Sequence, residues 1–358
     1  MVEAGPQAPE RGKVELIQAL RFIAALLVVL YHLPIHSDGS VFERFHGGGA
    51  GVDIFFVISG FVICLTALAR DPFDARTFMA KRFWRIYPAF WAVLIPTIAV
   101  ETLSAQVGIG VPKEGVLDPL HLVSSALLLP FPFLIVDVAW TLGIEITFYL
   151  LFALAYRAGG LRGVFVAILA WYAMTQVYIF TPLHEVTTLT YVLHSIVLEF
   201  GFGVAIGWLY LNTRMALGGP ALILGALGMV GVVFFRETAT LQALTELELG
   251  REIVAGIPSA LLIYGAAASR MRIPAWLLLL GESSYILYLL HSLFFGVVRA
   301  AVKVATGWEL GTSDIALAAL TVAVVGVSAG LTLWVERPFL RWARRFTRSD
   351  ARRPAPAE

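Results

Sequence analysis

Along this chain, apolar and polar positions separate into blocks instead of alternating. Apolar runs of about 20 residues recur over almost the whole length, each long enough as a helix to cross a hydrocarbon layer of roughly 30 Å. Their continuity predicts helices and excludes barrel strands, which would alternate with period two. The expected crossings are 16–35, 51–69, 84–103, 139–157, 163–181, 189–211, 219–235, 252–268, 275–297 and 315–335. That is an all-α polytopic integral membrane protein with about ten transmembrane helices. The apolar stretch 118–136 is interrupted by Pro119, Pro130 and Pro132, and is expected to be a partial or re-entrant segment. Polar residues gather in the tails 1–14 and 337–358 and the loop 236–251, which leaves 15–336 as one membrane-embedded domain. The first run is expected to remain as an anchor, being too long for a signal-peptide core and lacking an A-x-A-like site after it.

Composition agrees: 59% of the 358 residues are hydrophobic and 14% charged, too little polar surface to cover a soluble core. The single cysteine, Cys64, excludes an internal disulfide and a Cys-based metal cluster, and no metal is expected. The net charge of +1 conceals an asymmetry. One set of loops holds Arg11, Lys13, Arg70, Arg76, Lys81, Arg82, Arg85, Arg157, Arg162, Arg214, Arg270, Arg272 and seven arginines from Arg337 to Arg353. The other holds Arg44, Lys113, Arg236, Arg251, Arg299 and Lys303. The first set is therefore expected in the cytoplasm, with both termini, and the second outside. The terminal Arg341, Arg344, Arg345 and Arg348 suit an anionic cytoplasmic leaflet.

Ionisable groups inside spans are expensive, so each is a candidate for function. Arg21 and His32 stand eleven residues apart on one face of the first span, within about 20° of each other and separated by roughly 16 Å along the axis. Snorkelling of Arg21 and helix-end capping by His32 before Pro34 is the competing reading. Asp53 follows His46-Gly47-Gly48-Gly49-Ala50-Gly51 at the outer end of the second span, where ordinary N-terminal capping also places acids. The triple glycine suggests an oxyanion loop, yet no Gly-x-Ser-x-Gly occurs, which excludes a serine hydrolase of that type. Glu145, with Thr141 and Tyr149 four residues to either side, falls in the outer half of its span and needs a proton or a cation. Arg82 and Arg85, beside Lys81, Arg76 and Pro88, suit a polyphosphate; for an arbitrary membrane protein the positive-inside signal is the favoured reading. Ser284, Tyr288 and His291 share one face of the span 275–297, where interhelical polar packing is the alternative. Gly201-Phe202-Gly203 with Gly207 lacks a strand and reads as close helix packing.

In order and spacing these pieces resemble the acyltransferase-3 family of bacterial integral-membrane O-acyltransferases, and within it the short forms that acetylate exopolysaccharide. The resemblance is carried by Gln18-Ala19-Leu20-Arg21-Phe22 through Tyr31-His32, by Gly51-Val52-Asp53-Ile54-Phe55-Phe56-Val57-Ile58-Ser59-Gly60-Phe61, and by Arg82-Phe83-Trp84-Arg85-Ile86-Tyr87-Pro88. It continues through Trp140-Thr141-Leu142 with Glu145, Phe148 and Tyr149, then Gly281, Ser284-Tyr285, Tyr288, His291 and Glu336-Arg337-Pro338.

The resemblance implies transfer of an acyl group, usually acetyl, from cytoplasmic acetyl-CoA or another acyl-CoA to a hydroxyl of an extracytoplasmic glycan or lipid-linked saccharide. It implies a bacterial cytoplasmic membrane and no nucleic acid partner. On that reading His32 is the general base or an acyl carrier, with Glu145 or Asp53 fixing its tautomer. Arg82 and Arg85 hold the CoA phosphates and Arg21 guides the pantetheine arm. Trp140, Thr141, Tyr149, Ser284, Tyr288 and His291 are supporting residues, and the Gly47 to Gly51 amides are an expected oxyanion site. Two other readings compete: a proton-coupled transporter relaying through His32, Glu145 and His291, and a polysaccharide-export component.

Overall fold

The computed structural model describes residues 12–36, 38–69, 73–107, 115–130, 133–179, 181, 187–235, 238, 243 and 250–346, and their regular structure is entirely helical. Helix α1 spans Gly12–Tyr31; a 3-10 turn, Val41–Ala50, leads into α2, Gly51–Leu68. Then follow α3 (Ala75–Val107), α4 (Pro119–Leu127), α5 (Trp140–Ile179), α6 (Thr187–Val192), α7 (Val197–Asn212) and α8 (Gly218–Phe235). A π turn, Glu252–Gly256, opens α9 (Ile257–Ala268), and α10 is Ala275–Thr306. Helix α11, Asp314–Leu331, passes through a second π turn, Thr332–Glu336, into α12, Arg337–Ala343. Arg11, Arg70, Lys113, Arg236, most of the 236–251 loop and the tail from 347 lie outside the described residues.

Among the described residues seven stretches are long and apolar enough to cross a membrane, and the chain is a multi-pass membrane protein. One of them, Asp137–Tyr178, joins the expected spans 139–157 and 163–181. The helix is broken there by Gly159 and Gly160, and Gly160 has a φ of 58°, a conformation glycine adopts without strain. The expected spans 16–35 and 252–268 correspond to α1 and to the shorter apolar helix Glu252–Ala268.

The helix within 118–136 has nine residues, too few to cross a bilayer. Asp118 caps α4 by accepting from the Leu120 amide at 2.8 Å and the His121 amide at 3.2 Å, and Pro119 occupies the first helical position. Nine residues later the chain turns through Leu128 at a φ of 53°. Within a membrane the last carbonyls of so short a helix need donors other than water. Two side chains of α3 provide them: Trp91 Nε1 donates to the Ala126 carbonyl at 2.8 Å and the Tyr87 hydroxyl to that of Leu127 at 2.9 Å.

Small residues set the helix crossings. Any side chain at Gly60 or Gly203 would meet backbone of the facing helix, the Phe200 or the Val57 carbonyl, at 2.1 Å, so α2 and α7 touch along their backbones. Phe148 of α5 stacks on Phe200 of α7 at 3.8 Å beside this crossing. The glycine-rich approach to Asp53 is closed in the same way. Gly48 and Gly51 lie against the Leu27 and Ala24 carbonyls of α1, and Gly47 against that of Val232 in α8.

Candidate active site

Two cavities lie in the helix bundle and share Val52 and Tyr288 as walls. The smaller, about 120 Å³, is lined by Arg21, Arg82, Arg85, Ser59, Glu145 and Tyr149, with Thr141 and Tyr285 alongside; we call it the arginine chamber. The larger, about 480 Å³, is lined by His32, Asp53, Trp140, Tyr31, Gly49 and Arg251, and is the histidine chamber.

In the arginine chamber each cation has a defined neighbour. Arg21, mid-way along α1, donates through Nε to the Ser284 hydroxyl of α10 at 3.3 Å. Arg82 donates to Thr66 Oγ1 at 3.2 Å and lies over the rings of Phe78 and Tyr149, 5.4 and 5.5 Å from their centroids. Its Nε is buried without a hydrogen-bond partner. Arg85 pairs with Glu336, at the end of the second π turn, and lies 5.6 Å over the ring of Tyr285. Glu145 accepts from the Ser59 hydroxyl at 2.6 Å and from the Tyr149 hydroxyl. It therefore stands with the arginines and not beside His32. The expected depth followed from the ends of the span 139–157. The partition, however, falls near Tyr288, whose hydroxyl meets that of Thr141 at 2.7 Å, and Glu145 lies a turn beyond it.

His32 follows the last residue of α1, where its amide and its Nδ1 both reach the Val28 carbonyl, the ring nitrogen at 2.8 Å. A carbonyl only accepts, so Nδ1 carries the proton, and in the neutral ring the lone pair is on Nε2. The tautomer is thus set by a backbone carbonyl of its own helix instead of by Glu145 or Asp53. Asp53 gives both oxygens to Arg251, at 2.9 and 3.1 Å. His291 is fully buried with its ring centroid 5.0 Å from that of His32, and its Nε2 has no hydrogen-bond partner. Tyr288 also donates to the Val138 carbonyl at 2.9 Å, which fixes the partition to the start of α5. Trp140 stacks on His194 at 5.9 Å. The glycine stretch, expected as an oxyanion site, is a 3-10 helix in which the Gly51 amide returns to the Gly48 carbonyl. Its glycines serve close approach to α1 and α8.

Ser59, Tyr285 and Glu336 stand in the motifs that carry the resemblance, but their contacts in the site are visible only in the structure. Arg251, in the sequence a loop charge, has a local signal in its place next to Glu252 at the mouth of an apolar run.

Helices carrying a cationic chamber that abuts a chamber with an imidazole are an arrangement suited to a membrane-embedded enzyme. The family model described as acyltransferase domain matches residues 15–335, so the chain belongs to the acyltransferase-3 family and is an acyltransferase. It is similar to the exopolysaccharide production protein ExoZ of Rhizobium meliloti, 29% identical over 343 residues that cover 89% of this chain and 99% of that protein. Similarity to the acyltransferase MdmB of Streptomyces mycarofaciens, at 28% identity, covers 98% and 97% of the two chains. The peptidoglycan O-acetyltransferase OatA of Listeria monocytogenes matches at 33% identity over 25% of this chain and 14% of its own length. No solved structure matches.

Proposed function

We propose that this protein moves an acetyl group from acetyl-CoA at the cytoplasmic face of a bacterial inner membrane to a hydroxyl of a saccharide on the other side. The observation that carries this reading is the pair of abutting chambers, one cationic and one holding His32, with Tyr288 and Val52 in both walls. Arg82 and Arg85 bind the CoA phosphates from the cytoplasmic side through charge-assisted hydrogen bonds. Arg21 guides the pantetheine arm toward the partition, roughly 16 Å along α1 from His32. His32 Nε2 takes the proton of the acceptor hydroxyl as its oxygen attacks the thioester carbonyl; the C–S bond breaks, and the imidazolium returns the proton to the thiolate. The names of the relatives support both ends: one serves exopolysaccharide production and another is a peptidoglycan O-acetyltransferase.

Two experiments test it. O-acetylation of envelope and secreted glycans, compared with and without the protein, should fall when it is absent; unchanged acetate refutes the reading. Cysteines placed at 44 and 76 in intact cells should label from outside and stay shielded, respectively, and the reverse pattern refutes the orientation.

A further inference from the structure

Beside the histidine chamber lies a charge cluster that the transfer chemistry above does not use. Asp53 is 1% exposed and is bound on both oxygens by Arg251. Glu199 of α7 and Glu252 of the first π turn are 0% and 2% exposed; among the described residues no donor N–H or hydroxyl reaches their carboxylate oxygens, and the carboxyl of Glu199 lies within hydrogen-bond reach of that of Asp53. Glu199 packs against Gly256, and its charged neighbours are Asp53, Arg251 and Glu252. His194 completes the group; its Nδ1 accepts from the Ile196 amide at 3.2 Å, so its ring is neutral.

With the bidentate Asp53–Arg251 pair ionised the two charges cancel, so any ionised form of Glu199 or Glu252 beside it makes the cluster negative. Nε and Nη2 of Arg251 hold Asp53, its Nη1 has no partner among the described residues, and the residue lines the chamber. The arginine chamber differs: Arg21, Arg82 and Arg85 outnumber Glu145 and Glu336.

We propose that the histidine chamber admits an uncharged, hydroxyl-bearing saccharide segment and rejects uronate, phosphate or other anionic groups, with Arg251 Nη1 donating to a sugar oxygen. This rests on the acyl-transfer reading and adds the charge class of the acceptor. An anion entering the chamber gives up its water to reach a guanidinium already neutralised by Asp53, and meets repulsion from any ionised glutamate. A neutral polyol loses less solvation, accepts from Nη1, offers its hydroxyl to His32, and has the faces of Tyr31 and Trp140 beside it.

The test places a thiol on the chamber wall, as Val254→Cys in a Cys64→Ala background of the full chain in lipid nanodiscs. Methanethiosulfonates of matched size bearing a neutral, a cationic or a sulfonate group then probe it. After normalisation to a free thiol in solution, the sulfonate should react about tenfold or more slowly than the neutral reagent. Adding Asp53→Asn, which removes one negative charge beside Arg251, should restore much of its rate. Equal or faster reaction of the sulfonate overturns the proposal, as does failure of the neutral reagent to enter. Acetyl-CoA binding by the same protein separates the two readings. Binding retained with a fast sulfonate removes charge selection alone, whereas an absence of donor binding in the unsubstituted protein removes the acyl-transfer reading beneath it. A map of the acetate lost on deletion adds the natural acceptor: loss from neutral sugar residues supports the proposal and loss from anionic residues overturns it.

Discussion

The two chambers use one device to opposite ends. Each contains an ion pair, its carboxylate buried and its arginine partly exposed, at a π turn, a rare geometry that recurs at functional sites. In the arginine chamber the turn Thr332–Glu336 brings Glu336 to Arg85, and in the histidine chamber Arg251 immediately precedes the turn Glu252–Gly256 and holds Asp53. The pairs are alike; their surroundings are not. Arg21 and Arg82 remain beyond the first pair, whereas Glu199 and Glu252 surround the second. An ion pair contributes no net charge, so the character of each chamber is set by the ionisable groups left over.

The sharpest way to break this division of labour is His32→Ala, which should lower acetyl transfer by about 10²–10⁴-fold while acetyl-CoA affinity stays unchanged. Near wild-type transfer removes His32 from the mechanism, and an equal loss of donor affinity merges the chambers into one site. Replacing Arg82 and Arg85 with Gln should act in the opposite sense, weakening donor binding by roughly 1.5–3 kcal/mol per residue. Calorimetry in lipid measures it, and unchanged affinity returns the two arginines to topology signals. Arg21→Gln should affect both affinity and turnover.

Glu145→Gln is a smaller test of where that residue works. Its oxygens accept from Ser59 and Tyr149, so an amide keeps the shape and loses charge among the arginines. The KM for the donor should shift several-fold while the pH profile set by His32 keeps its midpoint; a moved midpoint would place Glu145 with the base after all. The smallest effect belongs to Asp74, outside the bundle, which caps α3 by accepting from the Arg76 amide at 3.0 Å and from Thr77. These bonds hold its carboxyl below the usual aspartate range. The capping contribution, about 0.5–2 kcal/mol, is therefore present at neutral pH and fades as pH falls below about 3.9. Thermal unfolding of Asp74→Ala against the parent should show a larger difference at pH 7 than at pH 3.

Much of this was legible in the sequence because the membrane makes polarity expensive. Arg21, Arg82, Arg85 and Glu145 stand out by type and depth, and the structure gathers them into one cavity. The same rule applied to Glu199, inside the span 189–211, and to Glu252 would have marked the second cluster, which only a tertiary arrangement of α2, α7 and the π turn assembles. Pairing was hidden for the same reason: Arg251 is 198 positions from Asp53, and Arg85 is 251 from Glu336. Separation along one helix axis gave the distance from Arg21 to His32. It did not give the height of the partition, because Tyr288 comes from α10.

The short helix α4 carries a consequence for how the chain enters the bilayer. Its terminal carbonyls are met by the indole of Trp91 and the phenol of Tyr87, both on α3 and both synthesised earlier. Without those donors the segment would present bare carbonyls to lipid, at a cost of several kcal/mol for each. Its partition into the membrane is thereby conditional on α3 having arrived first, so that α3 acts as a template and α4 as its client. Glycosylation mapping of truncated chains should find residues 119–127 membrane-embedded in the parent and displaced toward water when Trp91 and Tyr87 are both replaced by Phe.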